Sequence, residues 1–123
     1  MDRGKIAVLA FATAFTAAVP AVAAETVVEM TNRLNYTPET VAVSAGDTVR
    51  WNNTSDLVHT VTADPAKASD PAHVRLPDGA EPFDSGSVQA GGSYSHTFTV
   101  PGEYTYFCIP HEAAGMIGSI VVE

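Results

Sequence analysis

The 123-residue chain has little of three things: cysteine, positive charge and helical periodicity. Its single cysteine excludes an internal disulfide, a four-cysteine zinc site and any site that needs two thiolates. Six Lys and Arg against 14 Asp and Glu give a formal net charge of −8, so we expect no nucleic-acid binding, because phosphate contacts need a basic face. The length bounds the chain at one ordinary domain, and a hydrophobic fraction of 46% argues against disorder.

The N-terminal segment has the features of a secretory signal peptide. A short basic start is followed by an uncharged apolar run over Ile6–Val19, which Pro20 ends, and small residues precede Glu25. The run is short for a membrane span, which needs roughly 20 residues. We therefore expect residues 1–24 to be a cleaved signal peptide and residues 25–123 to be one exported domain. The expected location is the periplasm, with no stable membrane insertion.

The remainder has the pattern of short strands separated by turns. Nine Gly and eight Pro favour many turns, and no long segment has helical periodicity. Runs rich in β-branched and aromatic residues predict seven strands: Val27–Thr31, Thr40–Val43, Thr48–Asn52, His59–Thr62, Tyr94–Val100, Glu103–Cys108 and Ile117–Val122. Seven short strands in about 100 residues are typical of an all-β, two-sheet antiparallel sandwich.

One stretch departs from the strand pattern. Between Asp64 and Ser87 the chain carries four prolines, with Ala, Asp and Ser between them, and no alternation survives. We expect a long surface excursion with at most a short edge strand or helical turn. Its polarity is that of a mobile loop, and by default it has no special role.

A thiol, an imidazole and a thioether occur within nine residues, directly after a predicted strand; the segment is Cys108-Ile109-Pro110-His111-Glu112-Ala113-Ala114-Gly115-Met116. Pro110 and Gly115 keep the intervening residues in a turn, so the loop can return both His111 and Met116 to the Cys108 sulfur. Thiolate and thioether are soft ligands that suit Cu(I), and imidazole also suits Cu(II). The residue types therefore select copper. A trigonal Cys-His₂ site with a weak axial Met needs one more histidine.

Three further histidines are candidates for that position. His59 begins a predicted strand beside a polar loop, His73 lies in the proline-rich excursion, and His96 shares one side of its strand with aromatic residues. A strand end beside a loop can present an imidazole to a neighbouring loop without disrupting the core, which favours His59. Position alone leaves the choice open. For His96 the alternative is a half-buried strand histidine with no role in binding.

A catalytic interpretation of the same loop is a Cys–His nucleophile. That chemistry needs a base aligned on the thiol, a third orienting group and a substrate cleft. A small sandwich with Cys108 and His111 in one loop offers little cleft. We therefore expect that the protein is not an enzyme.

These segments resemble the cupredoxins, the family of type 1 blue copper proteins. The Cys-x₂-His-x₄-Met spacing is similar to that of plastocyanins and pseudoazurins, and the tracts Tyr36–Glu39, Gly46–Trp51 and His59–Val61 resemble plastocyanins and amicyanins. The resemblance implies a Greek-key β-sandwich that carries single electrons. It also implies one type 1 copper ion with four ligands: His59, Cys108, His111 and Met116. Thr60 stands where plastocyanins commonly have Asn, which leaves open how the two ligand loops are tied together.

The resemblance also implies the kind of partner. We expect transient redox partners of the cytochrome, dehydrogenase or oxidase type and a monomeric carrier. By the resemblance, His111 lies nearest the surface among small or apolar neighbours, which suits brief docking. The alternative is an exported copper protein for delivery or buffering. Trafficking sites often expose Met-rich tracts, and here only Met30 and Met116 follow the signal segment.

Overall fold

The computed structural model describes residues 22–123, which form two β-sheets packed face to face. The signal peptide predicted over residues 1–24 lies outside the described residues except for Val22–Ala24. Within the described part of the chain, no helix has the length and apolar character needed to cross a membrane.

Nine strands build the sandwich: β1 (Glu25–Met30), β2 (Tyr36–Thr37), β3 (Thr40–Val43), β4 (Thr48–Asn53), β5 (Thr62–Ala63), β6 (Phe83–Asp84), β7 (Ser93–Thr97), β8 (Gly102–Phe107) and β9 (Ile117–Val122). One sheet has the order β2-β1-β4-β7 and the other β3-β9-β8-β5-β6. The expected all-β, two-sheet Greek-key sandwich is confirmed. The purely antiparallel pairing is wrong, because β1 pairs with β4 and β3 with β9 in parallel. The chain changes sheets between β2 and β4, so β4 returns beside β1 in the same direction.

The core lies between the two sheets and is rich in aromatic rings. Alternate residues of β4 and β9 are buried, which is the period expected of strands with one face on a core. The Trp51 indole N–H donates to the Tyr106 hydroxyl at 3.0 Å, and the two rings meet edge to face at 5.3 Å. Tyr106 lies against Gly118 of β9, where a Cβ atom would come within 2.5 Å of its ring. Glycine at this position therefore makes room for the buried tyrosine.

Most of the predicted strands are present, but His59–Thr62 is not one. Only Thr62 belongs to a strand, and His59 makes an isolated bridge with Val88. The backbone between them pairs with no strand and bonds mostly to side chains, apart from the Val61 carbonyl, which accepts from the Ser85 amide. The Thr60 amide donates to the Cys108 sulfur, the Thr60 carbonyl accepts from a tyrosine hydroxyl, and the Val61 amide donates to the Ser85 hydroxyl. The side-chain pattern could not predict these hydrogen bonds, because alternation of side chains carries no information about the partners of the backbone.

The proline-rich excursion contains two copies of one local structure. The sequence Asp-Pro-Ala occurs twice, and each copy begins a 3₁₀ turn, Pro65–Lys67 and Pro71–His73. In each, the aspartate side chain accepts from the alanine amide, at 3.0 and 2.9 Å, and proline occupies the first turn, where its missing N–H costs nothing. The expectation of at most a short edge strand or helical turn was too low, because the stretch contains both of these turns and strand β6. The excursion is also joined to the sandwich by an ion pair between Lys67 and Asp84 at 2.6 Å and by backbone pairing of Arg75 with Thr105.

Candidate metal centre

Three of the predicted site residues bring their donor atoms together at one end of the sandwich. The Nδ1 atoms of His59 and His111 lie 3.6 and 3.3 Å from the Cys108 sulfur. One donor atom from each residue lies within 4.8 Å of the other two. His59 and Cys108 are fully buried, whereas His111 is partly exposed. The arrangement leaves one edge of the cluster near solvent.

The loop after β8 returns to the cysteine as its spacing predicts. A 3₁₀ segment covers Ile109–Ala114 and ends at Gly115, whose φ of 80° is in the left-handed region that favours glycine. The chain then comes back beside its start, because the Cys108 amide donates to the Met116 carbonyl at 3.1 Å. The Met116 amide in turn donates to the His111 carbonyl at 3.2 Å. Met116 is fully buried in the core beside Cys108.

His59 is oriented by the chain on both sides of its ring. Its backbone exchanges two hydrogen bonds with Val88, at 3.2 and 2.8 Å. The ring Nε2 lies 3.1 Å from the Thr31 carbonyl oxygen, which can only accept. Nε2 therefore carries the proton and donates it, and the Nδ1 lone pair faces the Cys108 sulfur. This is the tautomer that a metal ligand needs.

Thr60 ties the two loops of the cluster together. Its amide donates to the Cys108 sulfur at 3.3 Å, and its hydroxyl accepts from the Ile109 amide at 2.8 Å. Sequence reasoning left this tie open, because Thr60 departs from the asparagine that plastocyanins commonly have. This departure was the feature of the sequence that could have pointed to Thr60 as the connection between the loops. The threonine supplies both a donor for the sulfur and an acceptor for the adjoining loop.

The electrostatics of the cluster favour a bound cation. Burial raises the pKa of the Cys108 thiol, and the Thr60 amide offsets this only in part. Burial also lowers the pKa of His59, and the neighbouring His111 lowers it further. Both shifts favour neutral groups, so a thiolate is costly here unless a positive charge lies beside it. The three donors therefore suit a metal ion that displaces the thiol proton.

The donor set fits copper better than zinc. Structural zinc sites use thiolate, imidazole and carboxylate ligands, and thioether is not among them. A thiolate, two imidazoles and a nearby methionine are the set found in blue copper sites. The four residues present are therefore chemically suited to copper.

The other two histidines lie outside the cluster. The His73 Nδ1 atom is 2.8 Å from the Glu112 carboxylate. The His96 ring is partly buried and stacks on Phe83, with ring centroids 4.1 Å apart. Of the candidates considered for the remaining ligand position, the structure places His59, and neither of these two, beside Cys108 and His111.

The rim of the cluster is more apolar than the sequence suggested. Ile109, two residues before His111, is 41% exposed. Sequence analysis missed Leu57 and Val58, which directly precede His59 and are 40% and 37% exposed. Both residues precede the strand that was predicted from His59, in a stretch that sequence analysis treated only as a polar loop. These three exposed side chains lie within two residues of His59 or His111 in sequence and are here called the apolar rim.

Comparison with known proteins gives consistent matches. Residues 22–123 match the family described as copper binding proteins, plastocyanin/azurin family. The plastocyanin of Prochlorothrix hollandica is 36% identical over 125 residues, covering 96% of this chain and 88% of that protein. The chloroplastic plastocyanin of Tetradesmus obliquus is 38% identical over 90 residues, covering 73% of this chain but 59% of that protein. The solved structure of an oxidized amicyanin mutant superposes with a TM-score of 0.62 at 28% identity, covering 80% of this chain and 81% of that one.

Proposed function

Because this chain belongs to the plastocyanin/azurin family of copper-binding proteins, we propose that it is a blue copper protein that carries single electrons between redox proteins. As a member of that family it binds copper and is not an enzyme. The observation that carries the proposal is the convergence of two imidazole nitrogens on one buried sulfur. A small sandwich that buries these donor atoms can still exchange electrons with a partner, but it has little space to bind a substrate.

The proposed ligands divide into strong and weak donors. Cys108, His59 and His111 would supply the strong donors to a copper ion, and Met116 would supply the weak one. When bound, copper would supply one-electron redox chemistry, and this mixture of soft and borderline donors would suit both oxidation states with little rearrangement of the residues. The hydrogen bonds from His59 to Thr31 and from Thr60 to the sulfur hold the donors in place before and after the exchange.

The path to a partner passes through the exposed edge of the cluster. His111 reaches the surface there, whereas His59 and Cys108 are fully buried. The apolar rim lets a partner approach closely without removing charged groups from water. We assign this surface to brief docking of a redox protein of the cytochrome, dehydrogenase or oxidase type, with the carrier acting as a monomer.

We also propose that the protein is exported and works in the periplasm. Residues 1–24 have the composition of a signal peptide, and an exposed lone thiol would be a liability in an oxidising compartment. Cys108 is fully buried, which suits that environment. The proposal requires that the protein isolated from the periplasmic fraction begin at Glu25, which mass spectrometry of the intact chain measures.

Titration of the purified protein with Cu(II) tests the proposed function. An electron carrier is expected to develop an intense visible band that disappears on reduction and returns on oxidation, over repeated cycles. The alternative is copper delivery or buffering. A colourless protein that binds Cu(I) and passes it to an acceptor chelator would support that alternative and overturn electron transfer.

Replacing Met116 by leucine tests the axial position. Leu and Met have similar volumes, so the core should tolerate the change. We expect the variant to keep copper and colour but to have a higher reduction potential, because losing a weak sulfur donor destabilises Cu(II) more than Cu(I). Voltammetry measures the shift. Met30→Leu is the matched control, since Met30 is equally buried but lies in β1. Equal potentials in both variants would show that Met116 is not the axial ligand.

A further inference from the structure

The carboxylate of Glu112 makes three hydrogen bonds to a distant part of the chain. Its oxygens accept from the Ser69 amide at 2.9 Å, the Asp70 amide at 3.1 Å and the His73 Nδ1 at 2.8 Å. These partners are 39 to 43 residues away in sequence. Glu112 is one of the few buried charged residues, and it directly follows His111. Its side chain therefore joins the loop of the metal centre to the proline-rich excursion.

The partners of Glu112 belong to a segment that is itself well attached. Ser69 and Asp70 lie between the 3₁₀ turns Pro65–Lys67 and Pro71–His73, so their amides are presented side by side. Before them, Lys67 pairs with Asp84 of β6. After them, the backbone of Arg75 exchanges two hydrogen bonds with Thr105 of β8, at 3.1 and 2.9 Å. The residues that bind Glu112 are therefore attached, both before and after them in the chain, to the sheet that contains β6 and β8.

The loop that carries His111 has few other attachments. It is tied at its start by the bond from Ile109 to Thr60, and at its end by the bond between Cys108 and Met116. The remaining backbone bonds of the loop run within it, such as Gly115 to Glu112. In the part of the chain that the structure describes, the middle of the loop is joined to another segment through the Glu112 side chain.

We propose that Glu112 is a positioning residue, which holds the His111 ring in a fixed orientation by anchoring its loop to residues 69–73 of the proline-rich excursion. The inference deepens the proposed function and rests on it, since it takes His111 as a copper ligand. Hydrogen bonds to a charged acceptor are roughly twice as strong as neutral ones, so the three bonds restrain the loop far more than the same contacts to an amide would. The excursion then has a role: it braces the loop and limits the motion of His111 between oxidation states.

Glu112→Gln is the direct test, because it keeps the shape of the side chain but removes its charge and one acceptor. We expect weaker Cu(II) binding, within the roughly 10–100-fold loss that follows removal of an outer partner of a ligand. We also expect a shifted visible band and slower electron self-exchange between the oxidised and reduced forms. Hydrogen exchange of the Ser69 and Asp70 amides should accelerate. Asp56→Asn is the matched control, since it removes an exposed carboxylate three residues before His59 without touching the loop.

A second variant keeps the test decisive if Glu112→Gln binds copper too poorly to study. His73→Ala leaves the metal loop unaltered and removes one of the three bonds, so it should slow self-exchange to a smaller extent while keeping the blue band. A purely structural role would lower the thermal midpoint of both variants and leave band position and self-exchange at wild-type values, which would overturn the proposal. Absence of a blue band in the wild-type protein would instead refute the proposed function itself.

Discussion

The protein with Cys108 replaced by serine is expected to lose its intense visible band when loaded with Cu(II). The band of a blue site comes from charge transfer between the thiolate and Cu(II), and a hydroxyl at the same position is a poor, hard donor for this metal. The change is nearly isosteric, and the Thr60 amide that faces the sulfur can still donate to the serine oxygen. The effect should therefore arise from the donor atom and not from a rearranged site.

Two measurements complete this test. The absorption spectrum of the Cu(II)-loaded variant reports the band, and near-ultraviolet circular dichroism of the copper-free protein reports the packing of the core around Trp51. The expected outcome is an unchanged core signal without the intense band. If the serine variant kept an intense visible band, the strong donor would have to be another residue, and the assignment of Cys108 would be wrong.

Removal of the His59 ring is expected to have the second largest effect. His59→Ala eliminates one of the three donors that meet at the sulfur, and Cu(II) affinity should fall by more than the roughly 10–100-fold typical of an outer partner of a ligand. The visible spectrum should change strongly in the copper that remains bound. Competition with a chelator of known affinity measures the loss of binding, and the copper-free variant is compared with wild type by circular dichroism.

His96→Ala is the control for this variant. His96 is also partly buried among aromatic rings, but it stacks on Phe83 and lies outside the metal cluster. Its removal should leave the spectrum close to that of the wild type. A site destroyed by His96→Ala and preserved by His59→Ala would contradict the proposed ligand set.

The return of the chain from Cys108 to Met116 could be predicted from the sequence because its information is local. Cys108, His111 and Met116 lie within one nine-residue loop, and Gly115 marks the position where the backbone must reverse. No distant contact is needed to bring them together. Strands with regular alternation, such as Thr40–Val43 and Ile117–Val122, were predicted with the bounds that the structure has, for the same reason.

The connections between segments were beyond the reach of the sequence. Thr60 contacts a loop 49 residues away, and Glu112 contacts the excursion across a similar separation. Such pairs leave no periodic signal in a single sequence. From the sequence alone, a buried glutamate that accepts hydrogen bonds from backbone amides cannot be distinguished from an exposed glutamate on a solvated surface. The segment from His59 to Thr62 was misread because its backbone bonds to side chains and to single residues outside the strands, which β-propensity does not report.

The pairing of Trp51 with Tyr106 gives the protein an optical probe of its own core. The chain has one tryptophan, so its fluorescence comes from a single, known position. The indole is fully buried and donates to the Tyr106 hydroxyl, so its emission should lie to the blue of tryptophan in water and should resist quenching by iodide. Tyr106 lies in β8, two residues before Cys108, and Trp51, Tyr106 and Cys108 all belong to the core cluster. Unfolding of either sheet should therefore appear as a red shift without any added label.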